Sequence, residues 1–135
     1  HATLARAHHQ VVVAEQVARI LGAIGGGGQT RGGEGEPYPF TPGLVRLFTA
    51  RSTVPGSSRA LAWDTMLTTS SCGTRMSASA FGHVGFTGTS LWIDAAHDLY
   101  VAILTNRVHP SREGDGIQDV RRALHDAIVT SLAGA

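Results

Sequence analysis

The stretch from residue 81 to residue 94 has the residue types that best suit chemistry on a bound acyl group. As a strand, it places Phe81, His83 and Gly85 on one face, because successive side chains alternate. Glycines leave room for a ligand or a neighbouring backbone to approach closely, and here they recur at Gly82, Gly85 and Gly88. A histidine on such an edge strand could donate a hydrogen bond beside free backbone N–H groups that bind a carbonyl oxygen.

Three short strands are predicted to position this histidine. Apolar patterns predict strands at 80–86, 89–94 and 99–106, with turns at 87–88 and 95–98. Connections this short predict antiparallel pairing between consecutive strands. The third strand is almost entirely apolar, so we expect burial on both of its faces. It should also have a further neighbouring strand, which the sequence does not obviously supply.

A long C-terminal helix is predicted to cover one face of this three-stranded antiparallel meander. Apolar residues recur there at helical spacing, namely Ile117, Val120, Leu124, Ile128 and Leu132. Arg121, Arg122 and Asp126 lie off this stripe, and Gly134 is typical of a helix end. The predicted fold class is therefore α+β, of the α/β sandwich type.

The N-terminal part is predicted to be a helix at 13–24 followed by a glycine-rich loop at 25–35. The apolar face of that helix consists of Val13, Val17, Ile20, Leu21 and Ile24. The loop follows no clear strand and lacks the Lys-Ser/Thr ending of a P-loop, so we do not expect it to bind phosphate. We therefore divide the chain into an N-terminal region, 1–36, and a C-terminal domain, 37–135.

Two shorter elements are predicted before the meander. Thr41 and Pro42 are typical of a helix N-terminus and begin a short helix that reaches about residue 50. Residues 59–64 are a candidate strand, and residues 65–79, rich in serine and threonine, are expected to form an irregular loop.

Composition excludes several kinds of chemistry. All 11 basic residues are arginine, so a P-loop, a Schiff-base lysine or a Ser-x-x-Lys centre is absent from this sequence. Cys72 is the single cysteine and is expected to be a buried, unreactive thiol. The net charge of +1 gives no footprint for nucleic acid, and no apolar run could span a membrane. His1, His8 and His9 lack further ligands at suitable spacing, so neither a metal nor a cofactor is expected.

The stretch from Phe81 to Asp94 resembles the Lys-Thr-Gly strand of penicillin-recognising serine enzymes, in the branch where histidine replaces lysine. The segments 57–64, 99–110 and 121–127 resemble the same family in order and spacing. The resemblance covers about the last two-thirds of the chain. It implies the C-terminal part of a class C β-lactamase, penicillin-binding protein or esterase, with a partial β-lactamase/transpeptidase-like fold and additional N-terminal helices.

The resemblance also implies residue roles. His83 would face the substrate carboxylate or carbonyl, Gly85 would be the glycine of the motif, and the Phe86 N–H would be one of two oxyanion donors. The predicted substrate-binding residues are Gly82, Thr87 and Trp63. Packing is the alternative role for Trp63, and it is the expected role for Trp92. His97, His109 and His125 are expected to be surface or capping residues.

Two motifs of the family are missing from this sequence. There is no Ser-x-x-Lys, and Asn106, the only asparagine, is not part of a Tyr-x-Asn or Ser-x-Asn motif. Ser70, Ser71 and Ser77 have no identifiable base. We therefore expect a portion of a hydrolase for β-lactams, D-Ala-D-Ala peptides or small esters that is inactive by itself and completed by an N-terminal segment. A non-catalytic binding or complementation module and a decayed remnant are the alternatives, and the resemblance favours a periplasmic or extracytoplasmic site.

Overall fold

The structure, a computed structural model, describes residues 41–114 and 116–133. It divides the chain into two compact units, His1–Leu47 and Phe48–Ala135. The predicted helix at 13–24 and the glycine-rich loop lie outside the described residues. Helix α1 spans Pro42–Thr49. As predicted, Thr41 caps it, because its hydroxyl accepts a hydrogen bond of 3.2 Å from the Leu44 N–H.

Four antiparallel strands form one sheet in the order β1-β2-β3-β4. Their bounds are Asp64–Thr65 for β1, Phe81–Val84 for β2, Ser90–Asp94 for β3 and Leu99–Ile103 for β4. A single turn of 3₁₀ helix, Ala95–His97, joins β3 to β4, and helix α2 spans Ile117–Ala133. The three predicted strands and the C-terminal helix are confirmed, and β1 adds a fourth strand.

The predicted strand at 59–64 is wrong. The chain reverses there: Arg59 pairs with Asp64, and the Ala60 N–H donates to the carbonyl of Trp63 at 2.8 Å. Polar contacts close the turn, because the Asp64 carboxylate accepts a hydrogen bond from the Ser58 hydroxyl and lies 3.2 Å from the Arg59 guanidinium. The result is a tight turn that leads into β1 and limits that strand to two residues.

The two faces of the sheet differ in their cover. One face packs into the core, whose buried members are Cys72, Met76, Ala80, Trp92, Val101, Ile103 and Val129. On the other face, within the described part of the chain, Phe81 and Ile93 are buried, whereas Tyr100 is partly exposed and Leu104 just beyond β4 is 66% exposed. The prediction that both faces of the third strand are buried is therefore wrong for these residues.

Helix α2 is turned differently from the prediction. Its buried residues are Arg121, His125 and Val129, whereas Val120 in the predicted stripe is 54% exposed. Leu124 and Leu132 are also exposed, and Ile128 alone of the stripe packs partly against the core. Polar contacts explain this rotation, because Arg121 donates to sheet-turn carbonyls and the Asp126 carboxylate accepts from the Thr74 and Arg75 N–H groups.

The loop between β1 and β2 is irregular, as predicted, and buried groups fasten it to the rest of the domain. Cys72 is fully buried in it, and burial raises the pKa of this thiol to about 12. Arg122 of helix α2 donates to the carbonyls of Ser70 and Thr68. This loop therefore bonds to helix α2 and contributes Cys72 and Met76 to the core that includes Trp92 of β3.

Candidate active site

His83 lies on β2 with an exposed side chain. In the register it pairs with Leu91 of β3, and alternation along β2 gives it the same face as Phe81. This is the face opposite Trp92 and the core. The imidazole makes no hydrogen bond to another described residue, so it is available to a ligand on this side of the sheet.

The edge of β2 is unpaired beyond Gly82 in the described part of the chain. Strand β1 pairs with β2 only at Phe81 and Gly82. The Gly85 N–H is directed towards β3, because it donates to the Thr89 carbonyl at 2.7 Å. The Gly85 carbonyl accepts from the Gly88 N–H within the turn, and a trans peptide directs its C=O and N–H to opposite sides, so the Phe86 N–H is directed towards the unpaired edge. Among the described residues this N–H has no hydrogen-bond partner.

A tight turn from Gly85 to Gly88 ends the strand. The Gly88 N–H donates to the Gly85 carbonyl at 3.1 Å, and Gly88 has a φ of +110°, which favours glycine. A Cβ atom at Gly85 would clash with the Thr89 hydroxyl, and one at Gly82 would clash with the Trp92 ring. Packing and backbone conformation within the fold therefore account for glycine at positions 82, 85 and 88.

Arg107 fastens the outer side of this turn. Its Nε donates to the Phe86 carbonyl at 2.7 Å, and its own N–H donates to the Thr87 carbonyl at 2.9 Å. The guanidinium carbon lies 4.7 Å from the centroid of the Phe86 ring, a cation–π distance. The ring is 65% exposed, so Phe86 presents an apolar surface beside its free N–H.

Arg121 fastens the inner side of the turn from helix α2. Its Nη2 donates to the Thr89 carbonyl at 2.8 Å and to the Gly85 carbonyl at 3.1 Å. Burial, with a smaller contribution from the positive charge of Arg107, lowers the pKa of this guanidinium. The sequence analysis did not identify Arg121 as a residue of the site. Its spacing of four and eight residues from His125 and Val129, the other buried residues of the helix, is the signal that could have identified it.

The structure brings most of the predicted site residues together. His83, Gly85, Phe86 and Thr87 follow one another along β2 and its turn, and Thr87 is exposed. The Trp63 ring packs edge-on against Phe81 with centroids 5.3 Å apart, beside the face that carries His83. Gly82 lies against Trp92 on the opposite face, away from His83. The catalytic and substrate-binding roles of all six residues stay predictions.

The other histidines differ from one another in environment. His125, expected at the surface, is fully buried, so that prediction is wrong. Its Nδ1 lies 2.6 Å from the Arg121 carbonyl, and burial lowers its pKa. His97 is half-exposed and bonds to Asp94, and His109 is exposed. Over 41–114 and 116–133, no three His, Cys, Asp or Glu side chains are grouped as metal ligands.

Comparison with known proteins decides the family. The family model described as Beta-lactamase matches residues 6–125, which is most of the chain. The chain belongs to the β-lactamase family. Neither the curated proteins nor the solved structures contain a significant match to it. The four-stranded antiparallel sheet with its C-terminal helix is a partial β-lactamase-like fold, and the described helices include none long and apolar enough to cross a membrane.

Proposed function

We propose that this β-lactamase-family chain is the C-terminal portion of a serine hydrolase that acts through an acyl-enzyme. The observation that carries the proposal is the combination at the end of β2. An exposed imidazole at His83 and a Phe86 N–H without a partner among the described residues lie three residues apart, where β1 leaves the edge of β2 unpaired. Substrates of this reaction class are β-lactams, D-Ala-D-Ala peptides and small esters.

In the proposed reaction, a serine outside this sequence attacks the substrate carbonyl, and its Oγ forms a bond to the carbonyl carbon. The Phe86 N–H and the N–H of that serine donate to the oxyanion that develops. The C–N or C–O bond then breaks, the amine or alcohol takes the proton that the serine hydroxyl gave up, and water cleaves the acyl-serine ester to release the acid and the free serine. His83 donates a hydrogen bond to the substrate carboxylate or carbonyl.

Histidine in place of lysine favours an ester or neutral acyl substrate. A lysine ammonium would present a compact point charge to a substrate carboxylate, whereas the exposed imidazole offers a planar ring N–H as a hydrogen-bond donor. The exposed Phe86 ring supports the same preference, since it offers apolar surface to an acyl chain.

The alternative is a non-catalytic binding or complementation module with the same fold. The observation that favours it is the outer edge of β4, which has no partner strand among the described residues. Tyr100 and Leu104 are exposed on or beside this strand. A strand added to this edge would satisfy its backbone groups and cover apolar surface.

The test is hydrolysis of nitrocefin and of p-nitrophenyl butyrate. We expect no turnover by the 135-residue chain alone. We expect turnover when the chain is joined to in-frame upstream sequence that encodes Ser-x-x-Lys. His83→Ala should then lower kcat, while His109→Ala, at an exposed histidine outside the site, should leave it unchanged.

Two results would contradict the proposal. Turnover by the chain alone that disappears in His83→Ala would show that no separate serine is required. Upstream coding sequence with no Ser-x-x-Lys would remove the nucleophile and favour the complementation module.

A further inference from the structure

The peptide unit between Gly85 and Phe86 has two polar ends with different surroundings. A trans peptide is planar, so its C=O and N–H are directed to opposite sides. The Gly85 carbonyl accepts hydrogen bonds from the Gly88 N–H and from Arg121 Nη2, each at 3.1 Å. Both donors lie on the inner side of the turn, so the Phe86 N–H is directed outwards, towards the unpaired edge of β2.

The charge of Arg121 distinguishes this contact from the neutral Gly88 hydrogen bond at the same distance of 3.1 Å. Its side chain reaches the turn from helix α2, the residue is 2% exposed, and the same Nη2 also bonds to Thr89. At a given distance, an ionised donor polarises the accepting carbonyl more than a neutral donor does, and low dielectric strengthens this effect. Such a donor draws electron density from the carbonyl, which makes the N–H of the same peptide a stronger donor.

Stability alone does not explain a buried arginine at this position. No described carboxylate forms an ion pair with Arg121, and its buried Nε has no partner among the described residues. Burying a charge under these conditions is costly, and an apolar side chain of similar volume often serves stability as well or better. The described groups to which this guanidinium donates hydrogen bonds are the two carbonyls of the turn, those of Gly85 and Thr89.

We infer that Arg121 is a positioning residue: it fixes and polarises the Gly85–Phe86 peptide so that the Phe86 N–H is directed at the substrate side of the strand as a strengthened donor. The role in catalysis rests on the proposed function, whereas the bonds that produce the orientation lie within this chain. Arg107 acts on the next peptide unit, through the Phe86 carbonyl, and does not contact the Gly85 carbonyl.

The test is NMR of the isotopically labelled 135-residue chain. Arg121→Met keeps the volume of the side chain and removes the donors. We expect upfield shifts of the Gly85 carbonyl carbon and the Phe86 amide nitrogen, and exchange of the Gly88 amide faster on the order of tenfold, since bonds to charged groups are the stronger class. The amides of Val101 and Ile103, in the core, should change little. Arg121→Lys should restore part of both shifts.

Arg122→Met is the matched control. Arg122 is the next residue of the same helix and also donates to two backbone carbonyls, those of Ser70 and Thr68. We expect its substitution to move resonances in that loop and to leave Phe86 unchanged. Unchanged Gly85 and Phe86 resonances in Arg121→Met, or shifts spread evenly over the sheet, would overturn the inference.

A second measurement needs no substitution and keeps the inference testable if Arg121→Met does not fold. Scalar coupling across the hydrogen bond, between the Arg121 Nη2 and the Gly85 carbonyl carbon, should be detectable in the unsubstituted chain, and its absence would contradict the bond. If the chain joined to its Ser-x-x-Lys segment hydrolysed neither nitrocefin nor p-nitrophenyl butyrate, the proposed function would be disproved. The NMR results would still decide the orientation of the Gly85–Phe86 peptide.

Discussion

Asp94 and Ser77 are joined by two short hydrogen bonds that fasten the loop between β1 and β2 to the end of β3. The Ser77 hydroxyl donates to Asp94 Oδ1 at 2.6 Å, and the Ser77 N–H donates to Oδ2 at 2.7 Å. His97 lies 2.7 Å from Oδ2, and the Asp94 carboxylate is fully buried. Burial acts to raise the pKa of Asp94, but the bonds from Ser77 and His97 outweigh it and hold the pKa below its ordinary value.

This lowered pKa predicts acid sensitivity. The folded state favours the ionised carboxylate, so its stabilisation is present above pH 4 and is lost as pH falls below the ordinary pKa of about 3.9. Urea unfolding across pH 3–7 should show this loss. Asp94→Asn should lower the free energy of unfolding at pH 7 by about 1–3 kcal/mol. It should also reduce the further decrease of that free energy between about pH 5 and pH 3, here called the acid limb. Asp98→Asn, at an exposed aspartate in the adjacent turn, should do neither. Equal acid limbs in all three proteins would contradict the assignment.

His125 predicts a second pH dependence at higher pH. Burial lowers its pKa, so the folded state holds the imidazole neutral while the unfolded state takes up a proton below its ordinary value of about 6.5. The free energy of unfolding should therefore decrease as pH falls through that value. His125→Leu should remove this component, and His109→Gln, at an exposed histidine, should retain it. A pH profile unchanged by His125→Leu would show that another group is responsible.

Gly82 tests the close packing of β2 on β3. A Cβ atom there would meet the Trp92 ring and the Leu91 carbonyl, so we expect Gly82→Ala to cost about 1–3 kcal/mol, as overpacking does. Gly114→Ala is the matched control, because nothing lies within 4 Å of its added Cβ. Thermal unfolding measures both variants. Equal melting temperatures would contradict the described contact between Gly82 and Trp92.

Features that depend on residues within one strand or helix could be predicted from the sequence. Alternation and turn residues placed β2, β3 and β4 within a few residues of their observed bounds, and helical spacing placed α2. The glycine-flanked histidine was predicted to be exposed on an edge strand; its side chain is exposed, but β2 is an inner strand, which the two-residue β1 pairs with only at Phe81 and Gly82. These features follow from period and turn chemistry alone.

Features that depend on polar contacts between residues distant in sequence could not be predicted from the sequence. The rotation of α2 depends on Arg121 and Asp126, whose partners lie at Gly85, Thr89 and Thr74, far away in sequence. Apolar periodicity assigned the buried face to Val120 and Leu124 instead. The two-residue β1 was missed because side chains of Ser58 and Asp64 close a turn where the pattern predicted an extended segment.

Cys72 is predicted to be inert in the folded chain. Burial raises the pKa of its thiol to about 12, so almost no thiolate forms at pH 8. Its reaction with a disulfide reagent should be slower than that of an exposed cysteine by on the order of a thousandfold. The exposed cysteine for comparison is provided by the double variant Thr69→Cys, Cys72→Ala, because Thr69 is an exposed residue of the same loop. Comparable rates for the two thiols would show that the Cys72 site opens readily.

The orientation of the Phe86 N–H is tested most directly by a structure of the chain joined to its Ser-x-x-Lys segment and acylated by a slowly hydrolysed ester. We expect the acyl carbonyl oxygen within about 3.1 Å of the Phe86 nitrogen, with the His83 imidazole on the same side of the sheet. A carbonyl oxygen directed elsewhere, or a Phe86 N–H already bonded to protein, would contradict it.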